Sequence, residues 1–147
     1  MTRPLLGTDT LKRAFDDAVA SLKKKDPTRV MSLAALLQQV GDNTESDLLV
    51  LAGITLGQFS AAVTQLGAFA AFDTTGGLAG LVDQSLKTGA ESCGALGKQL
   101  CSDGPPEAEA TLAAISALSR LNLRLLNRLQ IVQQFSQLGP AAGPGNE

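Results

Sequence analysis

The hydrophobic and polar positions divide the chain into five mainly apolar segments joined by short polar connections. The longest segment, residues 48–72, contains 25 consecutive residues without a charged side chain. A segment of this kind forms either the buried central helix of a helical domain or a membrane-spanning helix, which needs about 20 apolar residues. Its small residues recur at helical spacing and would let another backbone approach closely: Gly53, Gly57, Ala61 and Gly67.

Apolar residues at three- and four-residue steps predict four more helices around this segment. The five predicted helices cover approximately residues 10–25, 27–41, 45–71, 78–101 and 106–138. Gly41 is expected to end the second helix, and Thr44 to cap the third. Four glycines weaken the fourth helix, each by about 0.5 to 1 kcal/mol relative to alanine. It is therefore expected either to bend or to pack on the third helix, glycine against glycine.

The final helix has the clearest pattern, an apolar stripe that continues for nearly three heptads. Its members are Leu112, Ile115, Leu118, Asn122, Leu125, Leu129 and Val132. Asn122 occupies a core position in this register, where a buried amide can specify helix pairing at a cost in stability.

The composition favours helices and a single domain. A chain of 147 residues can bury a sizeable core, and here 44% of the residues are hydrophobic but only 3% aromatic, with no Trp, Tyr or His. Leu and Ala are good helix formers, whereas the residues typical of strands are scarce. The expected fold is all-α, a bundle of about five helices around a nearly uncharged third helix. Residues 1–138 would form the domain and residues 139–147 a flexible tail.

Charge and cysteine content indicate a cytoplasmic protein. The net charge of −2 gives no general reason to expect nucleic acid as a partner. The first ten residues contain no apolar run of signal-peptide length. Cys93 and Cys101 are eight residues apart, about 12 Å along a continuous helix, which is too far for a disulfide. Free, partly buried thiols are expected, and a disulfide would require the helix to break at Gly94 or Gly97.

A row of basic residues on the final helix is the most distinctive functional feature. Arg120, Arg124 and Arg128 are four residues apart and so share one face, with no acidic residue between Glu109 and Glu147. Residues 31–103, the middle of the chain, are acidic, with two Lys against seven Asp and Glu. The arginines form either a solvated face that bridges to this acidic middle segment, or a binding patch for an acidic protein, anionic lipid or nucleic acid. No aromatic residue lies between these arginines, which argues against a surface that binds nucleic acid by base stacking.

Beyond the arginines the same face becomes apolar at Ile131, Phe135 and Leu138, spaced four and three residues apart. These side chains are expected to be covered by another helix of the bundle or by a partner subunit, because Leu129 and Val132 already supply the core side. The sequence therefore predicts a partner-binding surface formed by both groups: Arg120, Arg124, Arg128, Ile131, Phe135 and Leu138.

Enzymatic chemistry finds little support in the sequence. Without histidine there is no imidazole base or imidazole metal ligand, and most carboxylates stand at predicted helix starts, where capping explains them. Neither cysteine has an evident activating group beyond Lys98. No catalytic residue, metal site or cofactor is predicted.

The leading functional hypothesis is a non-enzymatic adaptor or assembly subunit that binds a protein partner through its last helix, as a homo- or hetero-oligomer. The alternative is a membrane-inserting or integral protein that uses residues 48–72, including a pore-forming hairpin with residues 78–101. Gly53 and Gly57 have the spacing that supports helix association in lipid. Gln58 and Gln65 count against it, since both amides lie on one face and are costly in lipid unless paired.

Overall fold

A computed structural model describes the backbone of residues 8–101 and 107–142 and the side chains of residues 9–101 and 107–134. This part of the chain forms five α-helices without strands, which confirms the all-α bundle. They are α1 (Thr8–Lys23), α2 (Thr28–Thr44), α3 (Asp47–Ala70), α4 (Gly77–Leu100) and α5 (Ala108–Ala142). The last helix thus continues four residues past Leu138, the predicted end of the domain.

The first four helices form a closed arrangement, and α5 lies against one side of it. Helix α1 packs on α2 and α4, and α3 completes the ring by packing on α2 and α4. Helix α5 packs on α3 and α4 alone. As a result α3 and α4 each have three helical neighbours, whereas α5 has only two among the described helices.

The connections differ from the sequence expectation in how the helices end. Gly41 does not terminate α2, because it lies buried inside that helix, where Val50 of α3 crosses it. The helix ends at Thr44 and is followed by Glu45 in the left-handed conformation (φ 55°). Thr44 is not the cap of α3. That role belongs to Ser46, whose side-chain oxygen accepts a hydrogen bond from the Leu49 N–H at 3.3 Å.

The start of α4 is organised by Asp73. Its carboxylate accepts hydrogen bonds from the backbone N–H of Leu78 at 2.8 Å and from Thr75, through both the backbone N–H and the hydroxyl. These bonds hold the pKa of the Asp73 carboxyl below its usual value, with the Leu78 bond the largest cause. The Leu78 bond also satisfies one of the donors that the first turn of a helix leaves unpaired.

The glycines of α3 and α4 do not pack against each other, contrary to the sequence expectation. Gly53 of α3 faces α2, where an added β-carbon would lie 2.8 Å from the Ala34 carbonyl oxygen. Gly89 of α4 instead receives the ring of Phe59 from α3, which lies against the bare backbone. Helical periodicity identifies which residues share a face but not which helix that face meets, and this explains the error. Helix α4 is continuous despite its glycines.

Candidate functional site

One face of α5 is embedded in the bundle. Its buried residues follow the heptad pattern with steps of four and three, and six of them form what we call the inner stripe. The inner stripe consists of Thr111, Ile115, Leu118, Asn122, Leu125 and Leu129, all at most 4% exposed. With this spacing α5 presents one continuous buried face to α3 and α4 from Thr111 to Leu129.

Asn122 ties α5 to α3 within this stripe. The side chain is 3% exposed, and its Nδ2 donates a hydrogen bond of 3.1 Å to the carbonyl oxygen of Thr55. The side-chain oxygen Oδ1 is buried and has no hydrogen-bond partner among the described residues. The amide therefore sits in the core position that the sequence indicated, and it fixes the alignment of the two helices at the cost of one unsatisfied acceptor.

A second heptad pattern follows the inner stripe exactly one residue later and faces outward. We call it the outer stripe, formed by Leu112, Ser116, Ser119, Leu123, Leu126 and Gln130, all exposed. Its three leucines are 45, 63 and 48% exposed, in chain order. A one-residue offset on a helix is a rotation of about 100°, so the outer stripe lies beside the inner one and not opposite to it.

Leu112 was assigned to the core by the sequence argument, and this assignment is wrong. Thr111 takes the buried position, because the buried stripe reaches Ile115 by a step of four residues, whereas the prediction used a step of three. From Ile115 to Leu129 the predicted positions are the buried ones. Leu123 and Leu126 were missed as candidate site residues. Testing the heptad pattern in every register, and not only in the one with the most apolar residues, would have found them.

The three predicted arginines lie further around α5 than the outer stripe, by about 80° at Arg120 and about 160° at Arg128. Arg120 and Arg124 directly follow Ser119 and Leu123, and all three arginine side chains are exposed. Within the described residues none of them makes a hydrogen bond or an ion pair, so the bridge to the acidic middle segment does not form there. We call Arg120, Arg124 and Arg128 the arginine row.

The apolar part of the predicted surface is described only at its beginning. Ile131 is 46% exposed and lies on the same side as the arginine row. Phe135 and Leu138 belong to α5, but their side chains lie outside the part that the structure describes. The structure thus places the arginine row and Ile131 on one surface.

Helix α3 has one open side, between the sides that face α2 and α5. Leu51 and Ile54 lie there, 43 and 41% exposed, together with the exposed amides of Gln58 and Gln65. Among the described residues α3 is the one helix long and apolar enough to cross a membrane, with a mean hydropathy of 1.5. In the most apolar 18-residue stretch of α3, 44% of the residues are buried. The core helices of soluble proteins can be equally long and apolar.

The seam between α1 and α4 contains a groove of about 600 Å³. Its floor is apolar, built from Val19, Leu22, Leu86 and Ala90. Gly94 keeps it open, because an added β-carbon there would have no neighbour within 4 Å. Lysines and carboxylates alternate around the rim, where Lys25 and Asp83 form an exposed ion pair of 3.3 Å. Because the rim contains both positive and negative side chains, the groove shows no preference for an anionic or a cationic ligand.

Neither cysteine is activated as a nucleophile. Both thiols are free, and burial raises the pKa of Cys93 to about 12. The pKa of Cys101 is also raised, first by burial and then by the carboxylate of Asp16. A thiol with a raised pKa carries little thiolate at neutral pH and is a poor nucleophile. No cluster of three or more potential metal-binding side chains occurs within the described residues.

Comparison with known proteins adds no relative to this picture. No family model matches the chain, and the searches of curated proteins and of solved structures find no match.

Proposed function

We propose that this protein is a non-enzymatic helical bundle that acts by binding another protein through the outer side of α5. The outer stripe and the arginine row together form the docking surface, with leucines as apolar anchors and guanidinium groups as charged contacts. Exposed apolar residues aligned along a helix are typical of surfaces that pack against a partner helix.

The observation that carries this proposal is the regular spacing of the outer stripe. Scattered exposed leucines are normal on soluble proteins. Here the three exposed leucines between Leu112 and Leu126 all belong to one heptad pattern, with steps of four and three residues. Helices that pack against each other use this spacing. The free guanidinium groups beside it support a partner with an acidic rim, since arginine forms two parallel hydrogen bonds with a carboxylate.

Affinity capture with the tagged chain tests this proposal. The variant R120E/R124E/R128E is expected to lose the proteins that the wild type captures, because its charges would repel an acidic partner. The fold should be retained, since these side chains are exposed and make no hydrogen bond or ion pair within the described residues. Circular dichroism of the purified variant checks the helix content.

A matched control reverses the same number of charges elsewhere. R13E/K23E/K24E changes three exposed basic residues of α1 and its end, and it is expected to capture the same proteins as the wild type. If the α5 variant also captures them unchanged, the docking surface is assigned incorrectly.

The second candidate function is membrane insertion through α3, supported by the length and apolar composition of Asp47–Ala70. A hairpin of α3 and α4 would have to leave the bundle, separating Thr55 of α3 from Asn122 of α5 and Gly53 of α3 from Ala34 of α2. Expression without detergent separates the two candidates. A soluble, helical, monodisperse species supports the docking function, and recovery only from the membrane fraction supports insertion.

A further inference from the structure

We propose that the turn between α3 and α4 binds the surface of a membrane that contains anionic lipids, while the bundle stays closed. We call residues 69–80 the tip. Phe72 enters the boundary between headgroups and acyl chains, and the lysines of the turn between α1 and α2 contact the headgroups. This inference goes beyond the proposed function, because the tip is a different surface from the outer stripe and the arginine row.

Phe72 is the most exposed large apolar side chain among the described residues, at 87%. Its neighbours Phe69 and Leu78 pack against the core and hold the tip in place. Phe72 follows directly after the end of α3, and its ring remains in water. Such a ring adds almost nothing to the core, whereas exposed Phe and Leu beside basic residues are typical of surfaces that enter the membrane interface.

The tip is also suited to an environment with little water. Asp73 is its single charged residue, and the hydrogen bonds that start α4 occupy the carboxylate. Seven backbone N–H groups of the tip donate to acceptors within the hairpin, namely those of Ala71, Phe72, Asp73, Thr75, Gly77, Leu78 and Gly80. An unpaired N–H is costly away from water, so these bonds lower the cost of approaching the acyl chains.

The turn between α1 and α2 lies at the same end of the bundle, set back from the tip. The Ser60 hydroxyl of α3 donates a hydrogen bond of 3.0 Å to the carbonyl oxygen of Pro27. From that level α3 continues to Ala70, so the tip extends roughly 10–15 Å beyond the turn. Lys23 and Lys24 are exposed at the turn.

This offset matches the layers of a bilayer. Apolar groups of interfacial proteins enter the boundary to about 5–10 Å, and the headgroup layer above it is about 5–8 Å thick. With Phe72 at that depth, Lys23 and Lys24 lie at or just above the headgroups, within the about 8 Å over which charges attract in physiological salt. The ring and the lysines therefore reach their two layers together.

The end of the bundle that carries the tip is basic, whereas the opposite end is acidic. Near the tip, five basic residues accompany three acidic ones: Lys23, Lys24, Lys25, Arg29 and Lys87 with Asp26, Asp73 and Asp83. At the opposite end of the described helices, three basic residues accompany six acidic ones: Lys12, Arg13 and Lys98 with Asp9, Asp42, Glu45, Asp47, Glu107 and Glu109. An anionic surface attracts the first end and repels the second, which turns Phe72 toward the membrane.

The small size of the tip favours lipid over a protein partner. A stable protein interface buries about 800 Å² on each side, far more than one ring on a turn supplies. Reversible membrane binding needs only a modest apolar anchor together with a basic patch, and the tip with its lysines provides both.

Co-sedimentation of the purified full-length chain with vesicles tests this inference. The wild type is expected to bind vesicles of phosphatidylcholine and phosphatidylglycerol, and to bind phosphatidylcholine alone at least about tenfold more weakly. Phe72→Ala should weaken binding to the mixed vesicles by about tenfold, because it removes the apolar anchor. The matched control Leu123→Ala truncates an exposed side chain of α5 and should bind like the wild type. A wild type that does not bind the mixed vesicles, or a Phe72→Ala variant that binds them equally well, overturns the inference.

A fluorescent reporter locates the contact, since the chain contains no Trp. The emission of F72W should move to shorter wavelength with the mixed vesicles and be quenched by lipids with brominated acyl chains. I54W on the open side of α3 and L123W on α5 should show neither change. A response of I54W would mean that α3 itself enters the membrane, and a response of L123W that α5 does. Either response, or an unchanged F72W, contradicts binding through the tip of a closed bundle.

Charge reversal tests the contact with headgroups. K23E/K24E should weaken binding to the mixed vesicles by about tenfold or more, because each lysine near an anionic surface contributes about fivefold. K12E/R13E makes the same change in net charge near the other end of α1 and should bind within about twofold of the wild type. Equal losses would show that net charge and not position governs binding, and an unchanged K23E/K24E would exclude the headgroup contact. Circular dichroism checks the helix content of each variant.

Membrane contact and the docking function of α5 can fail separately. Phe72→Ala should still capture the proteins that the wild type captures, because α5 is unchanged. A chain that captures proteins through the arginine row but binds no vesicles overturns the membrane contact and retains the docking surface.

Discussion

Helices α3 and α5 are both apolar on more than one side, but the bundle uses them differently. Helix α3 contacts three other helices, and its glycine and phenylalanine residues fit closely into them. Helix α5 contacts two helices through its inner stripe and leaves the leucines of its outer stripe in water. Apolar composition alone therefore does not identify a core helix. The number of neighbouring helices decides which apolar positions are structural and which are available for binding.

The largest expected difference between the two helices concerns side-chain truncation. Phe59 of α3 is fully buried, whereas Leu123 of α5 is 63% exposed. Phe59→Ala should lower the free energy of unfolding by about 3–5 kcal/mol, since it removes apolar contacts and leaves a cavity. Leu123→Ala should change it by less than about 0.5 kcal/mol. Urea unfolding measures both, and similar values would contradict the distinction.

Glycine substitution tests how closely α3 fits its neighbours. A β-carbon at Gly89 would overlap the ring of Phe59, and Gly89→Ala should destabilise the protein by about 1–3 kcal/mol. Gly94 lies in the same helix with no atom within 4 Å of an added β-carbon. Gly94→Ala should therefore stabilise by about 0.5–1 kcal/mol, through helix propensity alone. Thermal unfolding should show shifts of opposite sign, and equal shifts would mean that the Phe59 contact is loose.

The smallest expected change in the free energy of unfolding comes from a substitution at the contact between α3 and α5. Asn122→Leu removes a buried acceptor that lacks a partner and adds apolar contact, so the free energy of unfolding should rise by about 1 kcal/mol. Asn127→Leu changes an exposed amide on the same helix and should have almost no effect. Chemical denaturation of both variants checks this. Destabilisation by Asn122→Leu would show that the hydrogen bond to Thr55 outweighs the unsatisfied oxygen.

Most of the fold could be predicted from the sequence because each helix repeats apolar residues at three- and four-residue steps. The number of helices and the central position of α3 follow from that pattern. The helix ends did not, since the effect of Gly41 depends on its surroundings. Inside α2, with Val50 pressed against it, this glycine permits close packing and does not end the helix. A single sequence does not reveal such a neighbour.

The candidate site was only partly predictable. Regular spacing located the arginine row, and the structure places it in solvent on α5. The outer stripe was missed because the predicted core stripe used two successive steps of three, from Leu112 to Leu118, which put Leu112 into the core in place of Thr111. The two stripes differ by a single residue, so their assignment depends on the rotation of α5 about its axis. Contacts with α3 and α4 set that rotation.

The Phe59–Gly89 contact also determines how far α4 lies along α3. Moving α4 by one helical turn would bring Phe59 against Ser85 or Cys93, both of which carry a β-carbon and are already buried. The Phe59 ring packs against the Gly89 backbone and would overlap a side chain one turn away in either direction, so this contact opposes sliding of α4 along α3. The Phe59–Gly89 contact thus aligns α4 with α3, as the Asn122–Thr55 hydrogen bond aligns α5 with α3.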